Sequence, residues 1–375
     1  MPRTTAPAGA VTTIHTALGL MSGTSLDGID AAIIKTDGVA VFERGASLPG
    51  TYDTAFRGRL RGCLRQTAAD PAVEEELTRR HAEQVSALLA KAGLAPTDID
   101  VIGFHGQTIN HLPEAAATLQ MGDGARLARL TGIDVVNDFR SNDMAHGGQG
   151  APFAPLYHWA LARDLEKPLA VLNLGGVANV TWIGEGEPEA PGTLLAFDTG
   201  PANALLDDWM AGRRGAAMDE DGRLAASGTV NRDVLAELMD HPYFGLASPK
   251  SLDRQDFSAG PAQHLGDADG AATLSAFTAA SVAAAKPHLP GTPRRWLVTG
   301  GGRHNPVLMA ELADALGAAA EPVEAVGWDG NMLEAQAFAY LAVRSLRGLP
   351  LSVPGTTGVS SPVPGGVHHR AQTAA

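Results

Sequence analysis

Near the start of the chain, two apolar runs flank a polar turn that carries glycines. Leu18 to Met21 and Ala31 to Ile34 are apolar apart from Gly19, and Gly23 to Asp30 between them reads Gly-Thr-Ser-Leu-Asp-Gly-Ile-Asp. Strand, turn, strand is the simplest reading. Glycines at 23 and 28 let backbone N–H groups converge on an anion without Cβ obstruction, and Thr24 and Ser25 add hydroxyl donors. Asp27 and Asp30 would repel a bare phosphate, so they make sense only beside a metal ion or its waters. An ordinary hairpin turn accounts for the same residues equally well on local grounds.

The pattern restarts further on. Leu169 to Leu172 reads as a strand, Asn173 to Gly176 as a turn and Val177 to Thr181 as a returning strand. Two regions that each begin with a glycine-turn hairpin suggest a duplicated architecture, and two such turns facing across a cleft could clamp a polyphosphate. The glycine-rich stretch His146 to Pro152 marks the boundary. A chain of 375 residues is long enough for two domains.

Between the hairpins the order is strand, helix, strand, helix, strand. Asp70 and Pro71 open a helix that Gly93 stops, Val101 to His105 is a buried strand, Asp123 caps a helix through Leu130, and Ile133 to Asn137 is a strand. This order indicates a mixed or parallel sheet flanked by helices, with function beyond the strand C-termini. His105, Gln107 and Arg140 fall there. His105 and His146 offer ligands or bases, a loop hydrogen-bonding role being the commoner alternative. In the second half, Leu194 to Phe197 is a strand with Asp198 at its tip, where an aspartate can be a base or merely cap the next helix. Trp296 to Val298 is a strand opening into Gly300, Gly301 and Gly302, which permit close approach of a flat ligand such as a nucleoside. A final helix, Asn331 to Arg347, carries Glu334, and the composition of 354–367 reads as a disordered tail.

Charge narrows the partners. The balance 28 − 41 = −13 argues against nucleic acid and anionic membrane surfaces. No stretch approaches the roughly 20 apolar residues of a membrane span, and the single Cys63 excludes an internal disulfide, so a cytoplasmic protein is expected. No Gly-Lys pair is present for a P-loop, no dinucleotide glycine fingerprint follows a strand, and histidine spacing does not suit zinc.

The segments Gly19–Asp30, Phe104–Thr108, Gln120–Asp123, Asp138–Pro152, Asn173–Thr181, Phe197–Asn203, Thr299–Asn305 and Glu334–Leu341 resemble, in order, the motifs of the anhydro-N-acetylmuramic acid kinase family of the sugar kinase, Hsp70 and actin superfamily. The likeness runs from about Gly19 to about Gly366, so it also implies order in the supposed tail. It implies a two-domain actin-like ATPase fold of the α/β class, each domain a mixed sheet flanked by helices, with the active site in the interdomain cleft. After a disordered leader, 1–13, domain I would hold 14–145 plus about 346–370, and domain II 146–345.

The implied reaction uses ATP, Mg2+ and water to open the 1,6-anhydro ring of anhydro-N-acetylmuramic acid and phosphorylate O6, a step in recycling cell-wall peptidoglycan. By the same resemblance Gly23, Thr24, Ser25, Leu26, Asp27, Gly28, Ile29 and Asp30 would bind ATP phosphates, with Asp27 near the magnesium waters. Asn173, Gly175, Gly176 and Asn179 would form the second phosphate turn, and Gly300, Gly301, Gly302 and Asn305 would face the adenosine. Asp198 would be the catalytic base and Glu334 a second acidic residue, with His105, Gln107, Arg140 and Gln149 on the sugar. A homodimer is suggested, without an interface visible in the residues. Two departures stand out: Ala202 where the family pattern has glycine, and Lys250–Phe257, which reads Lys-Ser-Leu-Asp-Arg-Gln-Asp-Phe in place of the commoner Lys-Ser-Thr-Gly-Arg-Glu form. A kinase for another sugar, or a non-enzymatic ATP clamp, are the competing readings.

Overall fold

A computed structural model describes residues 13–23, 25–112, 115–252 and 254–371. The expected leader, Thr13 apart, and the candidate Thr24 lie outside the described residues. The strands are β1 (His15–Ser22), β2 (Asp30–Thr36), β3 (Val41–Pro49), β4 (Val101–Leu112), β5 (Ala117–Met121), β6 (Val135–Asn137), β7 (Leu169–Leu174), β8 (Val177–Ile183), β9 (Leu194–Pro201), β10 (Arg295–Thr299), β11 (Ala320–Pro322) and β12 (Val367–His369). They form two sheets in two compact units. The first unit takes the chain up to residue 145, 334–351 and the chain from 363; the second takes 146–333 and 352–362.

In the first unit the strand order is β12-β6-β4-β1-β2-β3, with β5 paired to β4. β1, β2 and β3 form an antiparallel meander, and β4 and β6 add in parallel on the other side of β1. One face carries Leu18, Leu20, Ile33, Ile102 and Phe104 against Leu77, Val85 and Leu88 of the helix Pro71–Ala92. That helix begins and ends as its sequence dictates. The Asp70 side chain accepts from the N–H groups of Ala72 and Val73, and Gly93 closes it in the left-handed conformation at φ 68°.

The opposite face is set by two glycines. Gly19 on β1 and Gly103 on β4 are register partners. A Cβ at Gly19 would lie 1.7 Å from the Ala335 carbonyl, and one at Gly103 2.0 Å from that of Phe338. The helix Leu333–Leu346 therefore beds directly on the sheet backbone, and this contact fixes where Glu334 sits.

In the second unit the order is β11-β10-β7-β8-β9. Again three strands form an antiparallel meander, and two parallel strands extend from its first member. Leu172, Val180, Phe197 and Val298 pack against Val282, Leu308 and Leu312 of the helices Asp267–Ala284 and Pro306–Leu316. The repeated strand order is the duplication that the two hairpins implied.

Four strands are absent from the sequence reading: β3, β5, and the three-residue β11 and β12, too short to show a pattern. β3 is an edge strand with its residues mostly exposed, so it shows no apolar alternation; β5 is short and only partly buried. The composition of 354–367 misled: Val353, Thr357, Val359 and Val363 are buried, the Leu351 N–H donates to the Val363 carbonyl, and β12 pairs with β6. Small residues are used here for close packing, since a Cβ at Gly355 would lie 2.0 Å from the Leu194 carbonyl.

Candidate active site

The first hairpin lies between β1 and β2, and its carbonyls are engaged one after another. Gly23 O accepts from Leu26 N–H at 3.1 Å and from Gln107 Nε2 at 3.0 Å. Ser25 O accepts from Arg57 Nη2 at 3.1 Å, and Asp27 O from Tyr52 N–H at 2.8 Å. Leu26 takes the left-handed conformation, φ 57°, to bring its side chain into the core. Gly28 is needed for packing, because a Cβ there would lie 1.7 Å from the Gly50 carbonyl. Ile29 and Gly50 exchange backbone hydrogen bonds, and Asp30 opens β2 opposite Met21. With the carbonyls turned inward, the N–H groups of Gly23, Asp27 and Gly28 have no partner among the described residues. The exposed Asp27 accepts from Ser25 Oγ at 2.7 Å.

The second hairpin, between β7 and β8, reaches the same result differently. Its carbonyls are engaged by the start of the helix Asn203–Arg214. Gly176 O accepts from the N–H groups of Ala202 (3.0 Å) and Ala204 (3.2 Å), and Gly175 O from that of Asn203 (3.0 Å). Asn203 Nδ2 donates to Leu174 O at 2.9 Å. The N–H groups of Gly175 and Gly176 have no partner among the described residues. Ala202, the departure from the family pattern, is buried, with φ −120° and ψ −116°.

Register lines up the polar residues of the second sheet. Thr299 on β10 pairs with Asn173 on β7, Asn173 with Asn179 on β8, and Asn179 with Asp198 on β9. Register partners share a face, so the four side chains form one row beyond the apolar core. Asp198 does not cap the following helix, which has Ala202 at its cap position with no side-chain bond. Instead its Oδ2 accepts from Leu252 N–H at 2.8 Å, and Oδ1 has no partner among the described residues. Burial pushes its carboxyl up to about 7, the Leu252 bond working in the opposite direction. One oxygen held and one available, with a proton affinity near neutrality, suits a general base.

The glycine loop follows β10. Gly300 has φ 78°, and a Cβ there would lie 2.4 Å from Asn173 Oδ1; a Cβ at Gly302 would lie 2.7 Å from that of Leu174. At Gly301 the space is open, with only Asn203 Nδ2 at 3.9 Å. Arg303, almost wholly buried, braces the loop, its Nη1 on Gly300 O, Nη2 on Asn331 Oδ1 and Nε on Glu324. Asn305 caps the helix Pro306–Leu316, its Oδ1 accepting from Val307 and Leu308 N–H.

The sugar candidates divide between the units. In the first, Arg140 Nη2 lies 2.8 Å from His105 Nε2, and His105 Nδ1 lies 2.7 Å from Gly106 O. A guanidinium can only donate, so Nε2 accepts and the proton is on Nδ1. Burial, and then the Arg140 charge, hold His105 well below the usual imidazole range. Burial pulls Arg140 down to about 10, with Glu334 and Asp143 opposing. Glu334 is open to solvent at its surface, yet lost hydration raises its carboxyl; Arg140 lowers it and Asp27 raises it further. A group that water can touch still loses hydration when protein surrounds it on most sides. In the second unit, Gln149 donates its backbone N–H to Thr357 O at 2.8 Å.

The donor set fits a polyphosphate: each unit offers glycine N–H groups without partners among the described residues, the chemistry of an anion-binding nest. No three metal-ligating side chains converge among the described residues. A magnesium ion here would therefore draw most of its ligands from phosphate oxygens and water, with Asp27 reaching it through water.

Comparison with known proteins names this arrangement. The family model for anhydro-N-acetylmuramic acid kinase matches residues 15–370. The chain is 56% identical to the anhydro-N-acetylmuramic acid kinase of Rhodospirillum rubrum, the alignment covering 95% of each chain. It is 54% identical to that of Rhizorhabdus wittichii, over 94% of this chain and 98% of that one, and 53% identical to that of Paramagnetospirillum magneticum, over 94% and 99%.

The chain belongs to the anhydro-N-acetylmuramic acid kinase family. It is thus an enzyme of the kinase class, and the two-sheet α/β fold is the one that the family resemblance implied. The family motifs did not point to Tyr243 or Arg57, and marked Leu252 only as part of the Lys250–Phe257 departure. Tyr243 and Arg57 act on backbone carbonyls, and Leu252 acts through its own N–H, a group that every residue but proline carries. Arg303 left one signal, a basic residue directly after three glycines.

Proposed function

We propose that the chain uses ATP, magnesium and water to open the 1,6-anhydro ring of anhydro-N-acetylmuramic acid and phosphorylate O6, giving N-acetylmuramic acid 6-phosphate and ADP. The observation that carries the proposal is Asp198, inside β9 and in a polar row, with one oxygen bonded and its carboxyl raised to about 7. Oδ1 takes a proton from a water that attacks C1. The C1–O6 bond breaks, O6 forms its bond to the γ-phosphorus, and ADP leaves. The backbone N–H groups of Gly23, Asp27, Gly28, Gly175 and Gly176 hold phosphate oxygens; magnesium, when bound, offsets their charge. Gly301 leaves room for the nucleoside. Arg140, with neutral His105 accepting from it, keeps a positive charge for the sugar's lactyl carboxylate, and Glu334 lies beside it.

The water's oxygen must end on C1, because the sugar's own O6 receives the phosphoryl group. Turnover in ¹⁸O-water, quenched before anomeric exchange, is expected to label C1. Label on the phosphate would separate ATP hydrolysis from ring opening and remove the role assigned to Asp198. ADP release assayed against a panel of sugars tests the substrate, and equal turnover with an ordinary hexose would sink that part of the reading.

A further inference from the structure

Asp198 can act as a base only while its carboxylate is held at one angle, and the hold comes from a segment remote in sequence. Leu252 N–H binds Oδ2, Asp198 N–H donates to the Lys250 carbonyl at 3.0 Å, and the Tyr243 hydroxyl donates to the Asp198 carbonyl at 2.5 Å. Three contacts from 243–252 thus fix backbone and side chain together.

Lys250 ties that segment to itself. Its side chain is buried, 7% exposed. Nζ donates to the Tyr243 carbonyl at 2.9 Å and stands 4.4 Å from the Tyr243 ring and 5.8 Å from the Phe197 ring. Tyr243 is itself wedged against Phe244 and Phe257. An ammonium taken out of water must regain its hydration from carbonyls and ring faces, and those available here belong to the residue before the base and to the residue that grips it. Lys250 makes no bond to Asp198's carboxylate; it bonds the Asp198 backbone through its own carbonyl, and its bearing on the carboxylate passes through the Leu252 N–H two residues on.

We infer that Lys250 is a positioning residue for the catalytic base: it holds the 250–252 segment so that the Leu252 N–H fixes one oxygen of Asp198 and leaves the other to water. The inference rests on Asp198 being the base. The titratable groups around this site are Tyr243, Lys250, His241, Asp256 and His288. Asp256 bears on Tyr243, His241 accepts from the Tyr243 N–H and packs on Phe244 and Phe257, and His288 meets the edge of Phe197 and the Phe244 carbonyl, so among the described residues Leu252 is the one group bonded directly to the carboxylate.

Steady-state kinetics of Lys250→Met across pH test this. Losing the Leu252 bond removes stabilisation of the carboxylate, so the acid limb of kcat/KM should move up by about one pH unit. Plateau kcat should fall about ten- to a hundredfold from misorientation, with the KM for ATP unchanged. Lys250→Arg, which keeps the cation and can still bond the carbonyl, should recover part of the kcat and return the limb. Leu252→Pro deletes the N–H, along with the leucine side chain and the freedom at φ, and should reproduce the upward shift even if Lys250→Met fails to fold; Leu252→Ala, which keeps the N–H, should not. A folded Lys250→Met or Leu252→Pro with an unmoved acid limb overturns the inference. A different result strikes the underlying reading: a wild-type enzyme without an acid limb, or an Asp198→Asn variant that retains turnover, removes Asp198 as base whatever Lys250 does.

Discussion

The two units share one strand order but differ in what is added to the backbone bonds that hold their hairpins. In the first, Gln107 and Arg57 reach into the turn from β4 and the helix Thr54–Cys63, beside the backbone bonds of Leu26 and Tyr52, and Ser25 steadies Asp27. In the second, the N–H groups of Ala202, Asn203 and Ala204 cap the glycine carbonyls, and one side chain, Asn203, adds a bond to the Leu174 carbonyl. Both leave peptide N–H groups without a partner among the described residues. The difference follows from loop length. The first loop, residues 22–29, is long enough to carry a carboxylate; the second, 175–177, is tight enough to sit directly on a helix end. Topology fixes where an anion-binding turn goes, and local chemistry decides what else it carries. A further contrast runs across the sheets, where the row Asn173–Asn179–Asp198 ends in a half-buried carboxylate and its counterpart Met21–Asp30–Pro49 ends in proline.

The largest effect should come from the end of that second row. Asp198→Asn keeps the size and loses the proton acceptor, so turnover should drop by about two to four orders of magnitude while ATP binding by calorimetry stays near wild type. In the wild type, Asp198 must be ionised to act and its carboxyl is held at about 7, so kcat/KM should fall about tenfold per pH unit below that value. A profile flat down to pH 5 would break the contrast between the rows.

Acid should unsettle both units alike. His81 in the first and His158 in the second are buried, and burial lowers each to about 4. The unfolded chain takes up protons below about 6.5 and the folded chain does not, so stability is full above 6.5 and is lost between 6.5 and 4, by up to about 3 kcal/mol per histidine. Replacing one of them with Gln should flatten the pH dependence of denaturant midpoints in its own unit; an unchanged slope would count against that histidine's neutrality.

Gly301→Val comes next. The Cβ would enter space that no protein atom fills, so the fold should survive while ATP affinity falls at least about tenfold. Normal nucleotide binding in a folded variant would take this loop out of the site. The smallest effects sharpen the hairpin comparison. Gln107→Leu removes the side chain that holds Gly23 and should raise the KM for ATP about tenfold; Asn203→Ala leaves all three capping N–H groups in place and should raise it less than about threefold. Equal effects would mean that side chains matter as much in the second turn as in the first.

Features that depend on near neighbours were legible in the sequence. Asp70, Pro71 and Gly93 bound their helix as they stand, Asp123 caps the next one, and both glycine hairpins fall where apolar runs frame them. A strand leading into Asp198 was legible too, but not its length: β9 runs on to Pro201, so Asp198 lies inside the strand and not at its tip. Its role was not legible, since a base and a helix cap share that local pattern. Register decided it, by placing Asp198 beside Asn179 and away from the helix cap.

The sequence by itself determined the strand–turn–strand units, the helix ends and the set of polar residues near each turn, because capping and turn formation are settled within a few residues. Only the tertiary structure decided which carbonyls are covered, which N–H groups remain, and that Leu252 grips Asp198. Backbone donors have no residue signature, so no spacing announces them. The same holds for Gly19 and Gly103: their meaning appears only when they pair in register and the helix Leu333–Leu346 beds on them. The tail was misjudged for that reason as well. Its composition is that of a flexible segment, and what orders it is the burial of Val353, Val359 and Val363 against partners far away in the chain.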